Sequence, residues 1–310
     1  MIKLNRASEK PILQANKNNE WEQAAVFNVA AIADNGLVHM LYRSTNKNSN
    51  GRECDDYLNY FGYAVSSDGI NFSRLDTPIL GPIKDSQEER GVEDARIVKI
   101  DDIFYMLYTG YGGRFDGDFR ICLATSKNLI TWQRHGIVLD EPNKDASYFP
   151  RKINGKYYLL HRRAPHIWIC ESNDMKTWEN HKILLQVKED NPWENHKIGL
   201  AGPPIETEKG WILIYHGVSQ EHQDNCGNGT YALGIAGLAK EDPTTVIYRQ
   251  KEPILVPELE WEKNGFVKNV VFSNGQAVVD GILYVYYGGA DTATGVASIN
   301  LQTLQDELFS

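Results

Sequence analysis

Apolar and aromatic residues recur along the chain in short runs, each behind a two-residue polar turn. Asn35-Gly36 precedes LVHMLYRS, Asp101-Asp102 precedes IFYMLYTG, Asn154-Gly155 precedes KYYLLHRR, Lys209-Gly210 precedes WILIYHGV and Asp280-Gly281 precedes ILYVYYGG. Asn-Gly or Asp-Gly between apolar runs signals a β-hairpin, because the favoured tight turn needs positive φ at both central residues. The five copies stand roughly 50 to 70 residues apart, which suits a four-stranded propeller blade with loop insertions. A second apolar piece falls late in four units, as TPIL (77–80), GIVL (136–139), KILL (182–185) and EPIL (252–255). Its fifth copy, KPIL (10–13), stands ahead of the first unit. The pattern predicts an all-β fold: a five-bladed β-propeller closed by pairing of the N- and C-terminal segments, which leaves no free sheet edge.

Length and composition fit one such ring spanning residues 1–310 as a single domain, since repeats share cores with their neighbours. No Pro-, Gly- or Ser-rich linker divides the chain, and 42% hydrophobic with 11% aromatic residues is ample for those cores. The start, MIKLNRASEK, lacks the apolar core of a secretory signal and no apolar run reaches bilayer length. A soluble cytoplasmic protein with no membrane partner is expected. Cys54, Cys122, Cys170 and Cys226 show no CxxC spacing and read as reduced, packed thiols. His161, His166, His196 and His216 lack the paired spacing of a zinc helix, so no metal is expected, and no Gly-rich nucleotide loop exists. A net charge of -9 argues against nucleic acid as a partner.

The candidate chemistry centres on Gly91-Val92-Glu93-Asp94-Ala95-Arg96, an acid pair and an Arg just ahead of the second repeated run. When the five copies are aligned by their turns, Arg43, Thr109, Arg162, His216 and Gly288 fall at one position of the repeated strand. An Arg or His at a strand end is ordinarily solvated or ion-paired. Three at matched heights around one axis point to a common anion-binding space. Counting seven residues back from the turn pairs Asn28 with Asp94 near the start of an inner strand. Arg151 and Lys152 stand before the third turn, where strand alternation sends them to opposite faces, and Asp291 follows the fifth run. Tyr108, Tyr111, Tyr231 and Phe272 are among the rings available as platforms for a sugar face, although most aromatics in such a chain are core.

With these residues in view, the chain resembles glycoside hydrolase family 130, the β-mannoside phosphorylases and related mannosidases. The resemblance runs almost end to end. It rests on FNVAAI (27–32), LYR (41–43), GVEDARI (91–97), TGYGG (109–113), FPRKINGKY (149–157), AGPP (201–204), GWILIYHGV (210–218), NVVFSNG (269–275) and YVYYGGADT (284–292). It implies a five-bladed propeller and a catalytic acid at Asp94, in a motif where Ala95 replaces the usual Pro. It also implies phosphate contacts from Arg43, Arg151, Lys152, Arg162, His216 and Tyr231. Contacts to the sugar are expected from Asn28, Glu93, Arg96, Tyr108, His161, Phe272 and Asp291, with Glu93 orienting a loop or Arg96 rather than reacting.

The implied reaction is inverting phosphorolysis of a terminal β-mannoside to α-mannose 1-phosphate, with inorganic phosphate as co-substrate and no cofactor. An inverting hydrolase needs an acid and a base, whereas phosphate is already a nucleophile and needs preorganised positive charge instead. Three other readings stay open. A hydrolase of the same family would use Glu194 or Glu206 as base. A fructosidase- or arabinosidase-like propeller would draw further acids from Glu53, Asp55 and Asp56. A sugar-binding propeller would show no turnover. The acceptor sugar, a 1,2 or 1,4 linkage and a homo-oligomer are not fixed by the sequence, because they depend on loops around the channel mouth.

Overall fold

A computed structural model describes residues 1–47, 57–115, 117–220 and 229–310. Strands dominate, and the α-helical segments among the described residues are Glu260–Lys263 and Leu301–Leu308. No helix among the described residues is long and apolar enough to cross a membrane.

The strands fall into five consecutive groups, each antiparallel within itself, the first two joined into one sheet by a parallel pairing of Asn59 with Gly91. The first holds Ala25–Asp34, Leu37–Thr45, Asn59–Ser66 and Ser73–Arg74; the second holds Gly91–Ile100, Ile103–Tyr111, Phe119–Ser126 and Gln133–Leu139. The third runs through Lys144–Tyr148, Tyr157–Arg163, His166–Ser172 and Glu179–Leu185. The fourth comprises Lys197–Leu200, Gly210–Val218, Tyr231–Ala239 and Val246–Arg249, with Ile205–Glu206 beside its second strand. Val271–Val279, Ile282–Gly289 and Ala293–Asn300 form the fifth, which Asn5–Arg6 completes from the other end of the chain by pairing Asn5 with Ser298 and Arg6 with Ala297. Leu13, in the KPIL piece, also bridges Thr294.

Three of the five turns carry the expected pair of positive φ angles; at Asp101-Asp102 only Asp101 has one, at 54°, and Lys209-Gly210 needs correction. Asn35-Gly36, Asn154-Gly155 and Asp280-Gly281 each carry two positive φ angles. Lys209-Gly210 does not: Gly210 already belongs to the strand, and the hairpin is closed by Thr207, whose N–H donates to the Gly210 carbonyl at 2.9 Å. The turn residues there are Glu208 and Lys209.

Five apolar clusters hold the groups together, each shared by two neighbours. Phe61 and Leu41 meet Val92 and Met106; Val98 and Leu107 meet Tyr148 and Leu159; Phe149 and Leu160 meet Trp211 and Leu213. Ile212 and Ile235 meet Val271 and Val285, and Val29 and Met40 meet Ala277 and Tyr286, so the last group packs on the first. Four of the groups are also locked internally by a buried Glu bound to a Tyr of the second strand and an Arg of the outermost strand. Glu22 holds Tyr42 and Arg74, Glu88 holds Tyr108 and Arg134, Glu194 holds Tyr215 and Arg249, and Glu262 holds Tyr287 and Arg6. Removing one charged partner of such a buried set leaves a desolvated charge, a cost of about 3 to 5 kcal/mol. The third group differs, with His161 at the Tyr position and His181 on the outer strand.

Candidate active site

The first strands of groups one, two and three each carry a bulge near their start, where pairing skips from Phe27 to Ala30, from Glu93 to Arg96 and from Lys144 to Ser147. The first bulged residues, Asn28, Asp94 and Asp145, all have positive φ, at 45°, 54° and 56°. Asn and Asp tolerate this left-handed backbone better than other side chains bearing a Cβ. The bulge re-aims the side chain out of strand alternation. The matched bulges bring a neutral amide and two carboxylates to one place.

Asp94 is buried, and its Oδ1 accepts from Asn28 Nδ2 at 3.0 Å and from Arg43 Nη1 at 3.1 Å. Arg43 also donates to Glu93 Oε1 at 2.8 Å and to Asn59 Oδ1 at 2.8 Å, while Lys144 reaches Glu93 Oε2 at 3.1 Å. Burial alone would raise the Asp94 carboxyl; Arg43, Lys144 and Arg96, with the Asn28 hydrogen bond, outweigh it and hold the pKa below its ordinary value. Asp291, at the turn after the second strand of group five, is affected oppositely. Its burial, with Asp94 and Glu93 nearby, pushes its pKa up to about 6 against the pull of Arg43.

Asp145 anchors the other half of the cluster. Its Oδ1 accepts from Arg96 Nη2 at 3.2 Å, and Arg162 Nη1 lies 2.7 Å from Oδ2 as an ion pair without a hydrogen aligned on that oxygen. Although the carboxylate is buried, Arg162, Arg96, His216 and Lys144 hold its pKa far below the usual range. His216 Nε2 is 3.7 Å from Oδ2, and neither ring nitrogen has a hydrogen-bond partner among the described residues. Burial, reinforced by Arg162, Arg96 and Lys197, depresses this imidazole to about 3, so it is neutral near pH 7. Phe272 packs against it with ring centroids 4.5 Å apart and Tyr231 at 5.9 Å. Lys197 Nζ stands 5.4 Å from the Tyr231 ring centre. Tyr57 and Tyr111 stack at 6.3 Å, and Glu93 and Arg43 act on the Tyr57 hydroxyl.

Asp94, Asn28, Glu93, Arg43, Arg162, His216, Tyr231, Phe272 and Asp291 are therefore neighbours in one cluster. Arg96 is there too, but as scaffold. It donates to the carbonyls of Ala201, Asp94 and Leu200 and to Asp145, and Asn274, oriented to satisfy both ends of its amide, accepts a fifth bond at 3.3 Å. A guanidinium has five N–H donors, so none remains for a sugar.

Four expected residues stand elsewhere. Arg151 pairs with Glu206 at 2.7 Å over the Trp211 ring, and Lys152 lies over Tyr157. The first strand of group three ends at Tyr148, so both follow its far end, away from Asp145. Tyr108 is spent on Glu88. His161 accepts from Asn143 at Nδ1 and therefore donates through Nε2 to His181 at 3.1 Å. The side-chain ligand atoms of His161, Cys170 and His181 lie within 4.8 Å of one another, a grouping that spacing did not reveal. The Asn143 amide is fixed because its Oδ1 accepts from the Arg162 N–H at 3.0 Å. A proton on His161 Nε2 then occupies the position a metal would need.

The alternative bases are also placed. Glu194 is locked between Tyr215 and Arg249, and Glu206 between Arg151 and Lys240. Glu53, Asp55, Asp56, Cys54 and Cys226 lie outside the described residues; Cys122 and Cys170 are buried free thiols. Lys144, Asp145, Asn59 and Lys197 belong to the cluster and were not singled out from sequence. The signal for Asp145 is the same acidic or amide residue at the bulge that marks Asn28 and Asp94.

Comparison with known proteins agrees with this architecture. Residues 4–308 match the family described as β-1,4-mannooligosaccharide phosphorylase, glycoside hydrolase family 130. A 1,2-β-oligomannan phosphorylase of Thermoanaerobacter sp. (strain X514) is 57% identical over 98% of this chain and 100% of its own length. A β-1,2-mannobiose phosphorylase of the same strain is 53% identical over the same shares of the two chains. The solved structure of β-1,2-mannobiose phosphorylase from Listeria innocua, in complex with β-1,2-mannobiose, superposes with a TM-score of 0.86 at 28% identity over 99% of both chains. The chain belongs to glycoside hydrolase family 130 and is an enzyme of that family.

Proposed function

We propose that the enzyme is an inverting phosphorylase that cleaves terminal β-1,2-linked mannosides with inorganic phosphate, releasing α-mannose 1-phosphate and a shortened sugar. The observation that carries this reading is that two of the three carboxylates beside Asp94 are committed to cations, while the third, Asp291, is assigned to the sugar. Glu93 is bound by Arg43 and Lys144, and Asp145 by Arg96 and Arg162, so neither is a free base for water. Arg43, Lys144 and Arg162, with His216 and Tyr231, suit a tetrahedral oxyanion. Asp94 is the acid, with Asn28, Asp291 and Phe272 around the mannose and Lys144, Arg162, His216 and Tyr231 around phosphate. Arg43, paired with Asp94 and Glu93, is assigned to phosphate as well.

In the free protein Arg43, Lys144 and Arg96 favour ionised Asp94. Bound phosphate offsets those cations, and a sugar covering the site strengthens the burial effect, so the protonated acid is favoured when it is needed. The proton passes to the leaving oxygen through the sugar's 3-hydroxyl.

Residues 1–310 form one domain in this reading, a five-bladed β-propeller closed at the terminal strands. It works in the cytoplasm, with phosphate as co-substrate and no other cofactor. Support comes from the five shared apolar clusters, the Asn5–Arg6 strand on the fifth group and the buried free thiols. The β-1,2 linkage follows the two Thermoanaerobacter relatives.

Incubation with β-1,2- and β-1,4-mannobiose, with and without phosphate, tests the proposal. Phosphate-dependent α-mannose 1-phosphate from the β-1,2 substrate is expected. Free mannose at an unchanged rate without phosphate makes the enzyme a hydrolase, and preference for the β-1,4 substrate overturns the linkage.

A further inference from the structure

An anion site that contains a carboxylate poses an electrostatic problem. Asp145 is 1% exposed, yet its Oδ2 has no hydrogen-bond donor aligned on it among the described residues. It lies 2.7 Å from Arg162 and 3.7 Å from His216 Nε2, the groups best suited to hold an oxyanion. Two further features show that this oxygen is held in place. The bulge fixes the Asp145 backbone at φ 56°, and Arg96 clamps the other oxygen at 3.2 Å. An oxyanion reaching Arg162 and His216 meets a negative acceptor that cannot turn away.

The approach is repulsive for an ion whose oxygens are all deprotonated. It is attractive for one that carries a hydroxyl, because the P–OH then donates to Oδ2 while the bare oxygens accept from the cations. We propose that Asp145 is a specificity-determining residue that admits only protonated tetrahedral oxyanions, phosphate or arsenate, and rejects sulfate. The inference rests on the phosphorylase reading and deepens it. Both phosphate ions present near neutral pH keep a P–OH, whereas sulfate has none. Directing the proton to Asp145 also leaves the oxygens facing the sugar unprotonated, as a nucleophile requires. A buried carboxylate oxygen that is ion-paired but has no donor aligned on it discriminates between ligands that can and cannot donate to it.

The test measures phosphorolysis of β-1,2-mannobiose by the wild-type enzyme with phosphate or arsenate as nucleophile and sulfate as inhibitor, then repeats it with Asp145→Asn. Arsenate is expected to replace phosphate, and sulfate to inhibit the wild type only at concentrations about 10³-fold above the phosphate KM. In Asp145→Asn that ratio of sulfate inhibition constant to phosphate KM falls by about tenfold or more, because the amide donates to a bare oxygen. Sulfate inhibition of the wild type at concentrations near the phosphate KM overturns the inference while mannose 1-phosphate formation leaves the phosphorylase reading standing. No mannose 1-phosphate from any mannobiose overturns both. The wild-type measurements decide the question if Asp145→Asn fails to fold.

Discussion

Asp145 Oδ2 and His216 Nε2 lie 3.7 Å apart across the α-carbon of Gly199, between two strands of different groups. A Cβ built on Gly199 would stand 2.4 Å from Asp145 Oδ2 and 2.4 Å from His216 Cε1. Only a residue without a side chain lets the carboxylate of group three and the imidazole of group four meet.

Gly199→Ala therefore forces the pair apart. Overpacking of this kind costs about 1 to 3 kcal/mol, and a displacement near 1 Å at a site that relies on positioning costs about 10²-fold in rate. Kinetics at varied phosphate should show the loss mainly in the phosphate kcat/KM, with a modest fall in Tm. A phosphate kcat/KM equal to wild type would mean that this half of the cluster does not bind the nucleophile.

Asp94→Asn keeps an acceptor oxygen for Asn28 and Arg43 but removes the transferable proton. The expected result is a fall in kcat of about 10²- to 10⁴-fold, while phosphate binding by calorimetry stays within a few-fold of wild type. Loss of phosphate binding together with turnover would make Asp94 an organiser of the cluster rather than its acid.

The turns and apolar runs made the repeated strands readable; the KPIL piece, expected to complete the last unit, contributes one bridge from Leu13 to Thr294, and Asn5–Arg6 supplies the strand. The site was readable only where the repeat spacing is regular. Seven residues back from the turn finds Asn28 and Asp94, but the same count from Asn154 lands on Ser147. In group three a longer connection, carrying Pro150 and the Ile153–Lys156 bridge, separates the bulge at Asp145 from its turn. Tyr108 and His161, expected at the sugar, stand apart from the cluster for another reason. Each directly precedes the aligned position held by Thr109 or Arg162 on its strand, and neighbours on a strand face opposite ways, so Tyr108 points to Glu88 and His161 to Asn143 and His181. The buried Glu locks join residues as distant as Arg6 and Glu262, and no local pattern records such a pair. A three-group repeat also went unread: Ser66, Ser126 and Ser172 each accept from the two N–H groups that follow at i+2 and i+3.

Tyr108 and Arg151 separate the structural assignments from the expected ligand contacts. Tyr108→Phe deletes the hydroxyl that Glu88 accepts at 2.7 Å in a buried environment, so stability should fall by about 1 to 3 kcal/mol with the mannoside KM unchanged. Arg151→Ala breaks an exposed pair with Glu206 and should alter stability by less than about 1 kcal/mol, with the phosphate KM unaffected. Denaturant melts and initial rates on both variants check this. A several-fold rise in either KM would return the residue concerned to the binding site.

Asp291 predicts a pH dependence of stability whose sign can be derived. Its native pKa of about 6 exceeds the ordinary 3.8, so between those values the folded protein keeps a proton that the unfolded chain releases. Raising the pH through this window therefore costs native stability, and above about 6 the cost is constant. The full cost is at most about 3 kcal/mol, and about 1 kcal/mol once the partial solvent exposure of Asp291 is allowed for. Asp291→Asn removes the ionisation and keeps the side chain's size. Urea melts should then show the variant gaining about 1 kcal/mol on wild type between pH 4 and pH 8, most of it accrued by pH 6. A stability difference that does not change with pH would mean that Asp291 ionises normally and that its neighbours Asp94 and Glu93 do not act on it.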